Sequence, residues 1–474
     1  MFTLNDIVEG NTDTFRFLTT AQIDLDQVFL EAHHDSRMIQ PGDLFLARKG
    51  EAADGHRFIA KAAQAGAGAV LCQEPASDVP ADFLQIVVPD VVKALHATAR
   101  VRVQRQKSTL YIGITGSNGK TSTKDAVATV LSRKASTHKT FASYNHELGV
   151  PQTLLRLEPQ HRYAVLEMGA QWVGELTWLC ETLVRPDWSL ITNVGAAHLD
   201  YFGTQERVAL AKSELVQVLQ PEGVALLNYD DPYVRAMSEK TVARVLFYGL
   251  NPAAHVYGDE ITGDPLSGLG FTLNYQYIQR RVQLHLPGVH SLMTALAAAA
   301  AGIAAEMHID EICAALEELR PPPGRCEVKV GPNGCTLLDD TFNANRQSIL
   351  AALQSIAGSE LGRKGKRWIV LGDIFELGVY AQQEHFASGE AVAGVADYLV
   401  AFGDKARFYV DGALSAGMKP EQTYYFSADV NNAAELEAAK RAVVDLLVHE
   451  VHSEDLVMLK GSHGMSSETM LSMW

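Results

Sequence analysis

The sequence predicts an α/β protein of three domains, each built around its own sheet. Strand-like apolar runs alternate with helical patterns along most of the chain, which is typical of mainly parallel sheets. At 474 residues the chain exceeds the size at which one core keeps growing, so several domains are expected. The run Pro321-Pro322-Pro323-Gly324 is the clearest joint, because successive prolines hold the backbone extended.

The first domain is predicted to span residues 1–107 as a small α/β unit. Its stretch FIAKAAQAGAGAVL, residues 58–71, has the pattern of a helix closed by glycine and followed by a strand. The basic, polar segment RVRVQRQKS, residues 100–108, is expected to act as the joint to the second domain.

The second domain is predicted at residues 108–320 and the third at 321–474. The strand runs of the second are TLYIGIT, YAVLEMG, WSLITNV and GVALLNY. An insert at 255–288 alternates as hairpins do, and two helices follow, SLMTALAAAAAGIAA and EICAALEELR. The third domain restarts the alternation with CTLLDD, RWIVLGD, YLVAFGD and LVMLKGS. It is therefore expected to be a Rossmann-like open sheet with ligands at the carboxyl ends of its strands.

Composition excludes several classes of protein. A hydrophobic fraction of 47% supports packed cores rather than disorder. The net charge of −16 disfavours a sequence-independent nucleic-acid binder and docking on an anionic membrane. Five cysteines without a Cys-x-x-Cys pair form neither a disulfide framework nor a zinc site. The start MFTLNDIVEG lacks the regions of a signal peptide, and no apolar run is long enough to span a bilayer. A cytoplasmic enzyme is predicted.

The stretch YIGITGSNGKTSTK, residues 111–124, is close to a phosphate-binding loop. The usual pattern requires glycine five positions before Gly119, where this chain has Ile114. The loop nevertheless lies between a predicted strand and a predicted helix, whose first N–H groups suit a phosphate. Lys120 would contact the β- and γ-phosphates and Thr121 would offer its hydroxyl to Mg²⁺. The competing interpretation is an ordinary glycine-rich turn.

Two further residues follow neighbouring strands of the same domain and are candidate magnesium ligands. Glu167 ends the apolar strand YAVLEMG, where a bare carboxylate is costly to bury without a partner. His198 follows the next strand after a short turn. Alone, each would be better explained as a surface charge or a core imidazole. Beside a phosphate loop, the two together indicate a metal-nucleotide site.

These motifs resemble those of the Mur ligases, the ATP-dependent amide-forming enzymes of peptidoglycan assembly. The resemblance covers nearly the whole chain. It rests on the segments TGSNGKTST, LEMG, TNVGAAHLDYFG, ALAKSEL, HLPGVHS, PPPGR, DDTFNAN, LGDIFELG and LKGSHGM, and on DSRMIQPGDLFLARKGEAADGHRFI near the start. Within the family, DDTFNANRQS with LGDIFELG resembles the branch that adds the final dipeptide. That branch joins D-alanyl-D-alanine to UDP-N-acetylmuramoyl-tripeptide through an acyl phosphate.

The resemblance implies a role for each matching residue. ATP would be held by Gly116, Ser117, Asn118, Gly119, Lys120, Thr121, Ser122, Arg325, Asp340 and Asn343. Two Mg²⁺ ions would take ligands from Thr121, Glu167, His198 and Lys212, with Lys212 carbamylated. Lys120, Lys212, His198 and Arg325 would be catalytic, Arg325 by reaching the γ-phosphate. Without the resemblance, Lys212 would be taken for an exposed helical lysine.

The substrate site implied by the family lies partly in the first domain. Ser36, Arg37, Lys49 and Gly50 would bind the UDP part, since a diphosphate favours cations and amides. Asn145 would lie near the carboxylate end of the nucleotide sugar. Arg37 and Lys49 are equally compatible with ordinary surface charges. A monomer acting on small molecules, without nucleic acid or membrane insertion, is expected.

Some positions depart from the family pattern. This chain has His146 and Ser291 where the family often has asparagine, and Phe342 where it has tyrosine. It also has Arg346 where the family has a small residue or proline, and His463 where it has arginine. None removes a phosphate or metal ligand, but Ser291 bears on recognition of adenine.

Two alternative functions stay open. One is another ligase of the superfamily, such as a different Mur step, a recycling ligase or a folylpolyglutamate synthetase. The other is a phosphate-loop ATPase that switches partners without forming a bond.

Overall fold

Three sheets, formed by successive parts of the chain, organise the protein. The structure is a computed structural model and describes residues 1–12, 14–50, 53–195 and 202–474. The sheets take their strands from residues 16–87, 110–284 and 327–460, and the predicted α/β class with three domains is confirmed. The exact domain limits stay a prediction. Among the helices of the described residues, none is both long and apolar enough to cross a bilayer.

The N-terminal sheet has five strands in the order β2-β7-β6-β5-β4, parallel except for the antiparallel pair of β2 with β7. A two-stranded ladder, β1 with β3, lies beside it. The strands are β1 Phe2–Thr3, β2 Arg16–Leu18, β3 Val28–Phe29, β4 Ala32–His33, β5 Leu44–Ala47, β6 Ala69–Cys72 and β7 Gln85–Val87. The helices are α1 Leu4–Gly10, a 3-10 turn Gly55–Phe58, α2 Ile59–Gln64 and α3 Val91–Arg105.

The predicted joint at residues 100–108 is wrong for most of its length, because α3 continues through it to Arg105. Buried Val101 keeps this end of the helix in the core. Two of its three arginines have partners: Arg105 pairs with Asp6, and Arg102 donates to the main chain of Leu157 in the next domain. The basic character of the segment therefore reflects ion pairs and a domain contact rather than a linker.

The central sheet has nine strands in the order β16-β15-β14-β13-β12-β11-β8-β10-β9. The strands are β8 Leu110–Thr115, β9 Thr137–Lys139, β10 Tyr163–Glu167, β11 Trp188–Ile191, β12 Val224–Asn228, β13 Arg244–Gly249, β14 Val256–Asp264, β15 Gly268–Tyr275 and β16 Ile278–Leu284. The last three form the predicted antiparallel hairpins, and the other pairings are parallel. Strand β8 lies between β10 and β11, which creates a crevice at their carboxyl ends.

Helices pack on both faces of the central sheet, which therefore lies between two cores. They are α4 Lys120–Ser132, α5 Gly149–Leu155, α6 Glu175–Thr182, α7 Gln205–Gln217, α8 Pro232–Ala236, the 3-10 helix Met237–Lys240, α9 Ser291–Ala304 and α10 Ile309–Glu317. The alanine-rich α9 is buried along nearly its whole length, since small side chains let it approach α4 closely. This packing fixes α4, whose first turn closes the phosphate loop.

The C-terminal sheet has six strands in the order β17-β18-β22-β19-β20-β21, parallel except for β17. The strands are β17 Glu327–Val330, β18 Thr336–Asp340, β19 Arg367–Gly372, β20 Tyr398–Gly403, β21 Thr423–Ser427 and β22 Leu456–Lys460. The helices are α11 Arg346–Ala357, α12 Ala381–Ala393, α13 Arg407–Ser415 and α14 Ala433–Glu450. Short 3-10 turns lie at Pro332–Gly334, Gly378–Tyr380, Pro420–Gln422, His463–Met465 and Ser467–Ser472.

Candidate active site

The phosphate loop connects β8 to α4 and is held in shape by the end of β11. Gly116 has φ +153°, and a Cβ there would lie 1.8 Å from Thr192 Oγ1. The main-chain N–H groups of Ser117 and Asn118 donate to the main-chain oxygen and Oδ1 of Asn193, both at 2.9 Å. Only glycine fits this close approach at Gly116. The short spacing therefore corresponds to a loop folded tightly against a neighbouring strand.

The side chain of Lys120 folds back over this loop. Its Nζ donates to the main-chain oxygen of Gly116 at 2.8 Å and to that of Ser117 at 3.4 Å. Burial lowers the pKa of Lys120, while the negative charge of Glu167 opposes the shift. A bound polyphosphate would therefore take the place of these carbonyl oxygens and accept stronger, charge-assisted hydrogen bonds from the amine.

Glu167 ends β10 as a buried carboxylate with one satisfied oxygen. The residue is 1% exposed, and Asn145 Nδ2 donates to its Oε1 at 2.7 Å. The Oε2 of Glu167 and the Oδ1 of Asn145 are both buried without a hydrogen-bond partner. Buried oxygens are rarely left unpaired. Two such oxygens beside each other fit a hard cation, which takes carboxylate and amide oxygens as ligands.

The hydroxyl of Thr121 lies in the same crevice. Its Oγ1 is 3.1 Å from Ser143 Oγ and accepts a hydrogen bond from Arg325 Nη2 at 2.9 Å. Within the described ranges no group of three or more His, Cys, Asp or Glu side chains converges. A cation here would thus be held by mixed oxygen ligands, and His198 lies outside the described residues.

Lys212 is buried on α7 instead of exposed as helical periodicity alone would suggest. Only 2% of the residue is exposed. Burial, together with the positive charge of Lys120, lowers the pKa of Lys212 well below its usual range. The opposing influence of Glu175 is smaller. A neutral amine is the form that reacts with carbon dioxide, so this environment fits the carbamate implied by the family resemblance.

Arg325 reaches the phosphate loop from the C-terminal domain. Besides its bond to Thr121, its guanidinium stacks on the Phe342 ring at 3.9 Å from the centroid. Asp340 pairs with Lys460, and Lys460 Nζ also donates to the main-chain oxygen of Asn343 at 2.9 Å. The predicted C-terminal candidates are thus brought together at the carboxyl ends of β18 and β22.

A cavity of about 410 Å³ opens between α4, the start of α9 and the proline joint. It is lined by Ser122, Asp125, Ala126, Thr129, Lys139, Leu286, Pro287, His290, Ser291, Thr294, Glu318, Leu319, Arg320, Pro321, Pro322, Pro323, Arg325 and Cys326. The Ser291 hydroxyl lies 2.6 Å from the main-chain oxygen of Gly288. That hydroxyl donates to the main chain of the turn before α9, and serine lacks the side-chain amide of the asparagine expected at this position.

The N-terminal candidates lie on a different domain from the loop. Ser36 is buried, whereas the Arg37 guanidinium is exposed and donates to both carboxylate oxygens of Asp35. Lys49 is exposed, and the N–H of Gly50 donates to the main-chain oxygen of Ala53 at 2.9 Å.

Several neighbours of the site carry no strong signal in the sequence. Asn193 and Ser143 hold the loop and Thr121. Lys124 is buried and donates to the main-chain oxygens of Thr140 and Ala142, both at 2.8 Å. Arg48 pairs with Glu147 across the first two domains at 2.9 Å. Asn193 and Lys124 lie inside segments that resemble the family's motifs, and that position is the signal by which the sequence could have indicated them.

Three family models match successive parts of the chain. They are described as "Mur ligase family, catalytic domain" at residues 32–103, "Mur ligase middle domain" at 114–302, and "Mur ligase, glutamate ligase domain" at 324–463. The chain belongs to the Mur ligase family, and it is an ATP-dependent enzyme that forms a C–N bond, as predicted.

Relatives within the family share one name, UDP-N-acetylmuramoyl-tripeptide–D-alanyl-D-alanine ligase. The protein of that name from Escherichia coli K12 is 34% identical over 99% of this chain and 96% of its own. The one from Mycobacterium tuberculosis H37Rv is 36% identical over 90% and 89%.

Solved structures agree with these sequence relatives. MurF from Acinetobacter baumannii superposes with a TM-score of 0.83 at 30% identity, covering 99% of this chain and 98% of its own. The MurF ligase from Thermotoga maritima in complex with ADP gives 0.76 at 26%, covering 94% and 96%.

Proposed function

We propose that this enzyme joins D-alanyl-D-alanine to UDP-N-acetylmuramoyl-tripeptide, with ATP converted to ADP and phosphate. The observation that carries the proposal is the meeting of three elements at one crevice. These are Lys120 in the phosphate loop, the buried Glu167 with its unpaired oxygen, and Arg325 from the C-terminal domain. Full-length similarity to ligases of that name supports the choice of substrates.

In the first step, the terminal carboxylate of the tripeptide attacks the γ-phosphorus of ATP. An acyl phosphate forms, the bond to the β-phosphate oxygen breaks, and ADP leaves. Lys120 contacts the loop and Arg325 contacts Thr121 at its end, where both would balance the charge that spreads over the transferred group. The cavity beside Ser291 would hold the adenosine, and Asp340 and Asn343 would face the nucleotide and the incoming amine.

In the second step, the amine of D-alanyl-D-alanine attacks the acyl carbon. The C–N bond forms, the C–O bond to phosphate breaks, and the amine loses a proton. Water would destroy the acyl phosphate, so the crevice must exclude it. Arg325 helps to close the crevice, because it brings the C-terminal domain onto the central one.

One Mg²⁺ would be held by Thr121 and Glu167, with the Asn145 side-chain oxygen beside it. His198 and carbamylated Lys212 would complete a second position. When bound, magnesium neutralises phosphate charge. Glu167 contributes a carboxylate already oriented by the Asn145 amide. Lys212 contributes a buried amine with a lowered pKa.

The remaining assignments complete the proposal. Ser36, Arg37, Lys49 and Gly50 of the N-terminal domain would bind the UDP moiety, with Arg37 exchanging Asp35 for a phosphate. The limits 1–107, 108–320 and 321–474 would separate the domains for nucleotide sugar, ATP and dipeptide. The enzyme would act as a cytoplasmic monomer.

A phosphate-release assay with single omissions tests this function. Release should require ATP, UDP-N-acetylmuramoyl-tripeptide and D-alanyl-D-alanine together, and the pentapeptide product should appear in equal amount. Turnover without the amine substrate would identify a switch ATPase. Turnover with a folate and glutamate would identify another ligase of the superfamily. Either result would refute the proposal.

A further inference from the structure

The side chain of Asn118, at the tip of the phosphate loop, bonds to two residues of the C-terminal domain. Its Oδ1 accepts from Asn345 Nδ2 at 2.6 Å, and its Nδ2 donates to Gln347 Oε1 at 2.7 Å. Both bonds join residues more than 220 positions apart. They connect neutral amides, so their strength depends on geometry and little on salt.

The loop presents this side chain in a fixed direction. The main-chain N–H of Asn118 donates to Asn193 Oδ1, and its main-chain oxygen accepts from Thr192 Oγ1 at 2.7 Å and Asn193 Nδ2 at 3.1 Å. Because the main-chain groups of Asn118 are hydrogen-bonded to the residues that follow β11, its side-chain amide is available to bond the C-terminal domain.

The partners lie in the first turn of α11, where one of them has a second duty. Asn345 is the N-cap, and its Oδ1 accepts from the N–H of Ser348 at 2.9 Å. Its Nδ2 is therefore directed away from the helix, toward Asn118. The fit is close, since a Cβ on Gly195 would lie 2.0 Å from Gln347 Oε1. Glycine at that position allows the helix to reach the loop.

Hydrogen bonds also connect the segment before α11 to the neighbours of Arg325. The N–H of Phe342 donates to the main-chain oxygen of Gly324 at 2.9 Å, and the N–H of Cys326 donates to Asp340 Oδ1 at 3.2 Å. These bonds tie the segment before α11 to the residues on both sides of Arg325. Whatever holds α11 on the loop thus also holds the guanidinium beside Thr121.

We propose that Asn345 and Gln347 are positioning residues that lock the first turn of α11 onto Asn118, and thereby set Arg325 over the phosphate loop. The inference rests on the proposed function in one respect, the binding of ATP at this loop. It concerns two residues that are not among those assigned to phosphate or dipeptide above, and Gln347 acts through its bond to Asn118.

The test measures the distance between domains. Cysteines placed at the exposed positions Tyr277 and Val379, which are 101% and 90% exposed, accept spin labels. The five native cysteines are buried, which favours labelling at the new sites. Magnesium with a non-hydrolysable ATP analogue should populate a distance characteristic of the domains in contact. In Gln347→Leu, which loses one hydrogen bond, the ratio of contacting to separated molecules should fall about fivefold.

Three further variants make the result specific. Gln347→Glu keeps an oxygen that accepts from Asn118 and should retain most of the contact. Asn345→Ser keeps a helix cap while losing the bond to Asn118, so it should behave like Gln347→Leu. Gln354→Leu, at an exposed position of the same helix, should leave the distances and kcat unchanged.

Kinetics should follow the distances. In Gln347→Leu, kcat should fall about fivefold while the affinity for ADP stays within about twofold of the wild type. Equal distance distributions in wild type and Gln347→Leu would overturn the inference, as would an unresponsive wild type. Ligation measured on the same samples separates the two proposals. A wild type that closes but forms no pentapeptide would refute the proposed function and leave the positioning role standing.

Discussion

Replacing Glu167 by glutamine tests the metal site most directly. The change is isosteric, and a glutamine Oε1 still accepts from Asn145 Nδ2, so the existing hydrogen bond survives. The unpaired Oε2 becomes an amide nitrogen. A cation loses its only buried carboxylate among Glu167, Asn145 and Thr121, which should weaken Mg²⁺ binding by at least about 100-fold.

The magnitude can be followed through thermal stability. A ligand present at 100 times its dissociation constant stabilises the folded protein by about 2.7 kcal/mol. At the same concentration, a 100-fold weaker site yields about 0.4 kcal/mol. For a domain the size of the central one, these values correspond to shifts in Tm of about 5 to 10 °C and about 1 °C.

The free enzyme should respond differently from the bound one. A buried carboxylate with an unpaired oxygen is unfavourable before a cation arrives, so Glu167→Gln should not lower Tm in chelator. Differential scanning calorimetry with chelator, Mg²⁺ and Mg²⁺ plus ATP measures all three states. Asn145→Asp changes the same site in the opposite sense, since it adds a carboxylate while it removes the amide that donates to Glu167 Oε1. An undiminished Mg²⁺-dependent shift in Glu167→Gln would refute the reasoning, and so would a large loss of Tm in chelator alone.

Substitutions at four other positions have expected outcomes. Lys212→Ala should lose ligation and regain part of it with a short carboxylic acid; full activity of the plain variant would remove the carbamate. The lowered pKa of Lys212 means that the folded state binds fewer protons than the unfolded one, so the stability contribution of this group increases as pH rises. Lys212→Met should therefore be at least as stable as wild type at neutral pH, as measured by chemical denaturation. Lys120→Ala should abolish ATP binding in calorimetry while circular dichroism stays unchanged. Gly116→Ala should lose both nucleotide affinity and stability, by about 2 kcal/mol or more, since its Cβ would clash with Thr192. Burial raises the pKa of Asp373 to about 6, so its protonated form is favoured in the folded state. Between about pH 4 and 6 wild type should lose stability relative to Asp373→Asn as pH rises.

Local patterns predicted the sheets and the position of Lys120 between a strand and a helix well, because both depend on short-range order. A strand followed by Gly119-Lys120-Thr121 and a helix can hardly be arranged otherwise. Glu167 could be placed because the carboxyl ends of adjacent parallel strands meet at one edge. The segment at 100–108 was misjudged for the same local reason, since its charges look like a linker until Asp6 and Leu157 are seen to bind them.

Contacts across domains could not be predicted in this way. Arg325, Asn345 and Gln347 meet the phosphate loop only after two domains are folded and docked. No periodicity connects positions 118 and 347. The family resemblance assigned a role to Arg325, but it assigned none to Gln347. The engagement of Arg37 by Asp35 was also hidden, although the two are nearly adjacent, because side-chain pairing in a loop depends on its conformation.

The charges around the loop explain why neutral amides are suited to joining the domains. Burial lowers the pKa of both Lys120 and Lys212. The positive charge of Arg325 adds to the lowering at Lys120, and that of Lys120 adds to it at Lys212. Docking of the C-terminal domain thus brings a positive charge close to Lys120, while the negative charges of Glu167 and Asp340 favour the charged form of Arg325. The bonds from Asn118 to Asn345 and Gln347 carry no charge, so they add nothing to the positive charge around the loop. In the proposed arrangement these bonds set where the domain docks, and the charges of Lys120 and Arg325 remain available for a polyphosphate.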